Sequence, residues 1–397
     1  MSEEKLVPKL RFNGFDDGWQ DTTLNDIATF TKGKDISKND ISDEGIECVR
    51  YGELYTKYGE LIYDIDSKTN LNKNELILSN KNDILIPCSG ETAIDLATAS
   101  CIQKENVAIG GDITIIQTNQ YAPFITYYLN QKKNEIARFA QGVSIVHLYS
   151  KDFKALKMKI PSINEQKKII SLLEIITNKE QLLKQKYQYY QNFKKYLMQQ
   201  IFAQKLRFDF KDEWKIVQLK DIAFVPKKTK LTNIDGLKLL TVKLHTKGIE
   251  INDKIKPKLT KRGRPYYIRE YGELLIGRQN FHNGGMGIVP KSLDGGICSN
   301  AISSFRVFED KIDINYLYYF LARPEYYIKS ERLIGGTGQK EFSEKELLKL
   351  KIELPSIEEQ SKIVDLLRTM DNKINICEIQ LNRTQEFKKG LLQQMFV

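Results

Sequence analysis

The sequence predicts an α+β protein in which two unlike lobes alternate with two long helices that pair as an antiparallel coiled coil. The first observation is a repeat, because residues 159–202 and 353–396 align without a gap and are identical at 19 of 44 positions. The second is a shorter repeat before each lobe, "KLRF" from Lys9 and again from Lys205. The third is that each lobe contains short β-rich runs followed by an aromatic helical run, such as "DITIIQT" before "APFITYYLN". Together they predict an internally duplicated chain.

The order of these segments predicts four parts with a circular pseudo-twofold symmetry. The parts are a first lobe at 1–160, a central helix at 161–204, a second lobe at 205–353 and a C-terminal helix at 354–397. The middle junction reads "QQIFAQKLRF", whereas the sequence ends "QQMFV" and has "VPKLRF" near its start. Joining the ends would nearly regenerate the junction, so we expect the two ends to lie close together.

Both long helices have the same predicted start, "PSINEQ" and "PSIEEQ". The spacing Ser-x-x-Glu is that of a capping box. We expect the hydroxyl of Ser162 to accept from the amide of Glu165 and the Glu165 carboxylate to reach back. Ser356 and Glu359 are expected to do the same.

An apolar stripe with a seven-residue period favours pairing of the two helices. In the first helix the stripe consists of Ile169, Ile176, Leu183, Tyr190 and Leu197. Two separate amphipathic helices, each packed on its own lobe, are the alternative. A paired rod would hold the lobes apart, and one turn of duplex DNA is about 34 Å. Because the lobes differ in sequence, a DNA target would be asymmetric and bipartite.

Composition narrows the function classes. The chain has 397 residues and a net charge of +10, which favours a polyanionic partner, nucleic acid before a membrane surface. No apolar run approaches the ~18 residues of a spanning helix and the start is too charged for a signal peptide, so we expect a cytoplasmic protein. Five cysteines without a CxxC pair predict buried free thiols, and three histidines without ligand spacing argue against a metal held by this chain.

With its duplicated "P-S-x-x-E-Q-x-K-I" helix starts and "FKK-x-L-x-Q-Q-x-F" helix ends, the chain resembles the specificity subunit of type I restriction-modification systems over essentially its whole length. The resemblance implies two target-recognition domains that each read half of a split DNA sequence. It also implies that the paired helices hold two methyltransferase (modification) subunits, which restriction (motor-nuclease) subunits join. Catalysis, S-adenosylmethionine, ATP and Mg would belong to those partners, and this chain would bind no cofactor.

Two other functions remain open at this point. A stand-alone DNA-binding regulator with two unlike lobes is the first, although no helix-turn-helix is evident. A nucleic-acid-modifying enzyme is the second, although neither a methyltransferase motif nor a GxGxxG after a strand occurs in the sequence.

Charge is unequally shared between the lobes. Residues 31–158 contain 15 basic and 17 acidic residues, whereas residues 224–352 contain 24 basic and 14 acidic. The densest basic run, "KIKPKLTKRGRPYYIR", predicts phosphate contacts by Lys261, Arg262 and Arg264, against an ordinary solvated loop. For the acidic first lobe we expect a methyltransferase subunit to clamp the duplex, so that the lone chain binds weakly through its second lobe.

Loops after predicted strands supply candidates for base contacts, because polar side chains on exposed loops read base edges. The candidates in the second lobe are Arg278, Gln279, Asn280, Gln339 and Lys340. Those in the first lobe are Arg50, Tyr51, Ser89, Glu91, Thr92, Gln141 and Ser144. For the partner subunits, the repeated polar positions Gln166, Lys168, Gln360 and Lys362 predict one docking surface offered twice. An exposed, capped helix end explains those four residues equally well.

Overall fold

The fold consists of two compact units, seen in a computed structural model that describes residues 7–142, 146–260, 263–330 and 341–396. The first unit comprises the described residues of Met1–Lys184 and Ile379–Val397, and the second those of Gln185–Glu378. Each unit therefore contains one lobe, part of one long helix and the complementary part of the other. The predicted domain boundaries at 160, 204 and 353 stay a prediction.

The first lobe and the helix after it contain the following described elements. The strands are β1 (Gln20–Thr23), β2 (Ala28–Lys32), β3 (Ile41–Ser42), β4 (Ile46–Val49), β5 (Leu61–Ile62), β6 (Ser67–Thr69), β7 (Ile84–Pro87), β8 (Ser89–Gly90), β9 (Ser100–Ile102), β10 (Ala108–Ile109), β11 (Ile113–Thr118), β12 (Val146–His147) and β13 (Lys157–Ile160). The helices are α1 (Leu24–Ile27), α2 (Tyr51–Thr56), α3 (Ala93–Leu96), α4 (Ala122–Gln131), α5 (Lys133–Ile136), α6 (Ser150–Phe153) and α7 (Ile163–Phe202), with 3₁₀ turns at Lys38–Asp40, Lys73–Glu75 and Ala137–Phe139.

A five-stranded sheet, in the order β2-β11-β7-β9-β5, is central to the first lobe. Its middle strand β7 is antiparallel to β11 and β9 and is buried along its whole length, as an uninterrupted apolar run predicts. A four-stranded sheet (β10-β4-β6-β3) and the pairs β1-β13 and β12-β8 complete the described β-structure. Helix α4, buried from Ala122 to Leu129, packs in the same core as the start of α7.

The second lobe repeats this plan with fewer described strands. They are β14 (Lys215–Gln218), β15 (Ala223–Phe224), β16 (Leu240–Val242), β17 (Ile249–Ile251), β18 (Tyr266–Ile268), β19 (Leu274–Gly277), β20 (Met286–Ile288), β21 (Ile297–Ser299), β22 (Ile302–Val307) and β23 (Lys351–Leu354). The helices are α8 (Leu219–Ile222), α9 (Ile314–Leu321), α10 (Pro324–Ser330), α11 (Glu344–Leu347) and α12 (Ile357–Met395), with 3₁₀ turns at Phe281–Asn283 and Lys291–Leu293. The sheets are β15-β22-β19-β20, β14-β23, β16-β17 and β18-β21.

In the first unit, α7 and α12 run antiparallel. Leu173 of α7 shares an apolar core with Leu391 and Met395 of α12. Farther along α7, Glu180 accepts a hydrogen bond at 2.9 Å from Nε2 of Gln385, which precedes Leu391 in the sequence. Residues later in α7 therefore contact residues earlier in α12.

The same pairing occurs in the second unit. Ile201 near the end of α7 shares a core with Ile363 near the start of α12. Lys194 lies one to two turns earlier in α7 and its Nζ is 2.5 Å from Oδ1 of Asp371, which lies later in α12. The predicted antiparallel helix pair is confirmed.

A backbone hydrogen bond in the first unit joins segments from opposite ends of the sequence. The amide of Leu10 donates to the carbonyl of Gln394 at 3.0 Å. In the second unit the repeat-equivalent residues, Leu206 and Gln200, make the same bond at 3.1 Å within a continuous stretch of chain. The bond at the middle junction thus re-forms between segments distant in sequence, as the predicted circular order requires.

The helix starts confirm one half of the predicted capping box. Ser162 Oγ accepts from the amide of Glu165 at 3.5 Å, and Ser356 Oγ accepts from that of Glu359 at 3.3 Å. The repeated serine therefore satisfies one of the amides that a helix start leaves without a partner.

The other half of the capping box is wrong, because the two carboxylates bind arginines instead. Arg11 donates to both oxygens of Glu165 at 2.7 and 2.8 Å. Arg207 donates to both oxygens of Glu359 at 3.0 and 2.8 Å, and Trp214 Nε1 adds a bond at 3.1 Å. A bidentate guanidinium outcompetes a single backbone amide. The repeated "KLRF" segments are thereby fastened to the repeated helix starts.

Gln166 and Gln360 are not docking residues, because both side chains are completely buried. The side-chain oxygen of Gln166 accepts from the amide of Tyr121, and its nitrogen donates to Gln120 Oε1 and to the Pro161 carbonyl. Gln360 makes equivalent bonds to Asp313, Lys311 and Pro355. The amide group matches a donor and two acceptors at once, which fixes the segment before each aromatic helix against a long helix.

The five cysteines are buried thiols outside any disulfide, as predicted. Burial raises the pKa of Cys48 and of Cys298 to about 11 and that of Cys101 to about 12. None of the described helices combines the length and the apolar character that a membrane span requires.

Candidate nucleic-acid interface

The central strands β7 and β19 end in equivalent ways. The residue after each strand accepts a backbone hydrogen bond from a segment that returns to the strand end. The carbonyl of Cys88 accepts from the amide of Leu148, and the carbonyl of Arg278 accepts from the amide of Phe342, both at 3.0 Å. In both lobes the next residue also bonds the returning segment, this time through its side chain. Ser89 Oγ lies 3.2 Å from His147 Nδ1, and Gln279 Nε2 lies 3.5 Å from Glu341 Oε2. Both lobes thus build one surface from a strand end and a returning segment.

In the first lobe this surface carries a cluster of aromatic and basic side chains. His147 and Tyr149 stack in parallel with ring centroids 6.1 Å apart. The Nζ atoms of Lys32 and Lys151 lie 5.7 and 5.6 Å from the Tyr149 ring centre. We call Lys32, Ser89, His147, Tyr149 and Lys151 the first face. Two cations around an exposed ring give this acidic lobe a local positive surface.

The equivalent surface of the second lobe is a cleft lined by four cationic side chains, Lys228, Arg269, Arg278 and Lys345. Lys345 corresponds to Lys151 by the repeat, since both lie near the start of the short helices α11 and α6. Asn300, Tyr267 and Ser343 contribute polar atoms to the lining. We call this the second face. Clustered cations with hydrogen-bonding side chains are typical of phosphate-binding surfaces.

Carboxylates offset part of the charge of the second face. Lys228 Nζ is 2.5 Å from Oε1 of the buried Glu273. Arg278 Nε is 3.2 Å from Oε1 of Glu341. No carboxylate pairs with Arg269 among the described residues. The cleft therefore holds one buried cation that forms no ion pair among the described residues.

The residues predicted to contact bases in the first lobe differ in how exposed their side chains are. Ser89 is 7% exposed, so the prediction that it lies on an exposed loop is wrong. It lies in strand β8, and its hydroxyl is hydrogen-bonded to His147. Thr92 is exposed and is the N-cap of α3, where its hydroxyl bonds Asp95; its base contact stays a prediction.

The remaining first-lobe candidates stay predictions. Glu91 and Tyr51 are exposed and Arg50 is half-buried. Gln141 pairs through its backbone with His147 in both directions. Ser144 itself lies outside the described residues.

The second-lobe candidates stay predictions as well. Arg278 lies half-buried in the second face, where it also donates to the carbonyls of Phe342 and Asn300, and Gln279 is half-buried. Asn280 and Arg264 are exposed. Lys261, Arg262, Gln339 and Lys340 lie outside the described residues.

Several side chains of the two faces were not anticipated from the sequence. They are Lys32, His147, Tyr149, Lys151, Lys228, Arg269 and Lys345. One signal was available, because Lys151 and Lys345 are identical at the same offset as the repeated helices. Only the topology brings the other side chains together.

Each unit also presents an aromatic surface on its helix pair. In the second unit Phe193 is 38% exposed and stacks between Tyr189 and Tyr196, with centroids 6.0 and 6.4 Å away. Its repeat equivalent in the first unit, Phe387, is 58% exposed and lines a groove with Ile176, Lys179 and Arg383. We call these the two aromatic surfaces. Of the predicted docking residues, Lys168 and Lys362 remain exposed.

Known proteins share both the sequence pattern and the fold. The family described as type I restriction modification DNA specificity domain matches this chain twice, at residues 16–191 and 211–384. The specificity subunit of the type I restriction enzyme MjaVIII of Methanocaldococcus jannaschii is 24% identical over 402 residues, covering 94% of this chain and 91% of that protein. A putative type I restriction enzyme MjaX specificity subunit of the same organism is 23% identical over 299 residues, covering 69% of this chain and 67% of that protein.

Two solved structures have the same fold. The S subunit of a type I restriction-modification system from M. genitalium superposes with a TM-score of 0.67 at 16% identity, covering 99% of both chains. A chain from a structure of complex assembly in a type I restriction-modification system gives a TM-score of 0.52 at 16% identity, covering 96% of this chain and 98% of that one. The predicted fold class and family are both confirmed. The chain belongs to the type I restriction-modification specificity family, as a specificity subunit with two target-recognition domains.

Proposed function

We propose that this specificity subunit is noncatalytic, that each recognition domain reads one half of an asymmetric bipartite duplex, and that the helix pair holds two methyltransferase subunits. Restriction subunits would join that core in the cytoplasm. S-adenosylmethionine, ATP and Mg would be used by those partners, with no cofactor on this chain. The observation that supports DNA reading most directly is the equivalent pair of faces, both built at the end of a central strand and both basic.

The difference between the two faces supports an asymmetric target. The strand-end bond joins a hydroxyl and an imidazole in one lobe, and an amide and a carboxylate in the other. Such groups present different donor and acceptor patterns to base edges. Two domains of shared topology with unlike side chains should therefore read unlike half-sites.

The two aromatic surfaces support docking of two identical partners. Phe193 and Phe387 are identical in the repeat and exposed in both units, whereas the other repeated phenylalanine of the same motif is buried or packed against the core, as Phe202 and Phe396. An exposed aromatic residue is typical of an interface anchor. Since the exposed phenylalanine occurs twice at equivalent places, a partner that uses one as an anchor should use the other.

Expressing the chain with a type I methyltransferase partner is expected to add one split methylated motif to host DNA. Single-molecule methylation sequencing of cells with and without the chain measures this and supplies both half-sites. A stable complex without any new motif would contradict the assignment of the faces as DNA readers. Absence of any complex would favour a stand-alone DNA-binding regulator.

Neutralising the first face should weaken DNA binding without changing the sequence that is read. For Lys32→Gln with Lys151→Gln we expect the slope of log affinity against log salt to fall by about two, equally on target and non-target duplexes. Fluorescence anisotropy of the methyltransferase complex at several salt concentrations measures it. The control pair Lys73→Gln with Lys81→Gln removes two exposed charges of the same lobe that lie outside the face. Equal effects of both pairs would show that only net charge matters.

A further inference from the structure

The second face contains a buried arginine that forms no ion pair with a described carboxylate. Arg269 follows β18, is 4% exposed and lines the cleft with Lys228, Arg278 and Lys345. Its Nη2 donates to the carbonyl of Ile302 at 2.7 Å, whereas its Nε is sealed from water and has no hydrogen-bond partner among the described residues. A buried cation without a counter-charge destabilises the fold.

Two further neighbours of Arg269 are neutral. The guanidinium carbon lies 5.8 Å from the centre of the Tyr267 ring. The Cys298 thiol also contacts it, and burial of that thiol keeps it protonated. Two carboxylates beside the cleft pair with other cations, Glu273 with Lys228 and Glu341 with Arg278. A third, Glu344, lies in the lining of the cleft. An anion entering the cleft would be the missing counter-charge.

Size and chemistry indicate the class of anion. The cleft has a volume of about 490 Å³, well beyond a single phosphate ion, and its polar lining includes Asn300 and Ser343. A planar guanidinium with flanking lysines matches phosphate oxygens. We propose that the cleft binds a phosphodiester of the DNA backbone together with its flanking sugars, with Arg269 as the buried ligand. This inference rests on the proposed DNA-reading function and adds a register-fixing contact to it.

Arg269→Gln tests the site in the full chain bound to its methyltransferase partner. We expect binding to target and non-target duplexes to weaken alike, by roughly tenfold, since a charge-assisted hydrogen bond is lost, and the salt slope to fall by about one. Lys211→Gln removes an exposed charge of the same lobe outside the cleft and is the matched control. Arg269→Lys keeps the charge and should retain most of the salt slope while losing affinity.

Inorganic phosphate distinguishes the two sources of the anion. A rise in the melting temperature of the wild-type chain in phosphate over chloride at matched ionic strength, absent in Arg269→Gln, would support anion binding by the cleft. If that protection occurs while Arg269→Gln leaves DNA affinity and salt slope unchanged, the DNA assignment is overturned in favour of free phosphate. Unchanged values in both experiments overturn the site altogether. A wild-type complex that produces no methylated motif would instead contradict the proposed function.

Discussion

Replacing Glu359 by glutamine is expected to lower the stability of the second unit by about 3 kcal/mol. The carboxylate is 1% exposed and holds both Arg207, bidentately, and the indole nitrogen of Trp214. Glutamine preserves the shape but leaves a partly buried guanidinium without its counter-charge. For a unit of this size the melting transition should fall by roughly 6 to 12 °C, measured by scanning calorimetry.

The neighbouring Glu358→Gln is the matched control, because Glu358 is exposed and should not change the transition. Adding Arg207→Gln to the Glu359 variant should recover part of the loss, since both charges are then removed. Glu165→Gln should cost less than Glu359→Gln, because no hydrogen bond links Trp19 Nε1 to Glu165 among the described residues. A Glu359→Gln protein that melts within a degree of wild type would contradict the arginine clamp.

Replacing the repeated phenylalanines by aspartate is expected to remove methyltransferase subunits one at a time. Phe193→Asp and Phe387→Asp should each leave one partner per chain, and the double variant none. Losing an aromatic anchor and burying a carboxylate costs at least ~2 kcal/mol, about thirtyfold in Kd, per site. Native mass spectrometry at low micromolar concentration reads the stoichiometry directly.

Asn192→Asp controls for the added charge, because Asn192 adjoins Phe193 on an exposed part of the same helix. Both phenylalanines are exposed, so thermal unfolding of the lone chain should change little and a lost partner cannot be explained by misfolding. Variants that keep two partners would assign docking elsewhere, for instance to the exposed Lys168 and Lys362.

The sequence predicted the helix pair correctly because its signal is local and periodic. The stripe from Ile169 to Leu197 repeats every seven residues, and a helix that repeats this way must bury that stripe against a partner. The sequence predicted the role of Gln166 and Gln360 wrongly, because the pattern of a repeated glutamine at a helix start is the same whether the side chain is exposed or buried. Only the packing of each aromatic helix against a long helix decides that.

The sequence by itself determined the duplication, the circular order, the buried thiols and the family, since each depends on residue identity at fixed spacing. The tertiary structure alone decided which side chains form the two faces. Lys32, Ser89 and Lys151 come from three separate segments, and so do Lys228, Arg269 and Lys345; they meet only because antiparallel pairing brings a strand end beside a returning segment. Such contacts join residues far apart in the sequence and follow no repeating spacing, so no local sequence pattern predicts them.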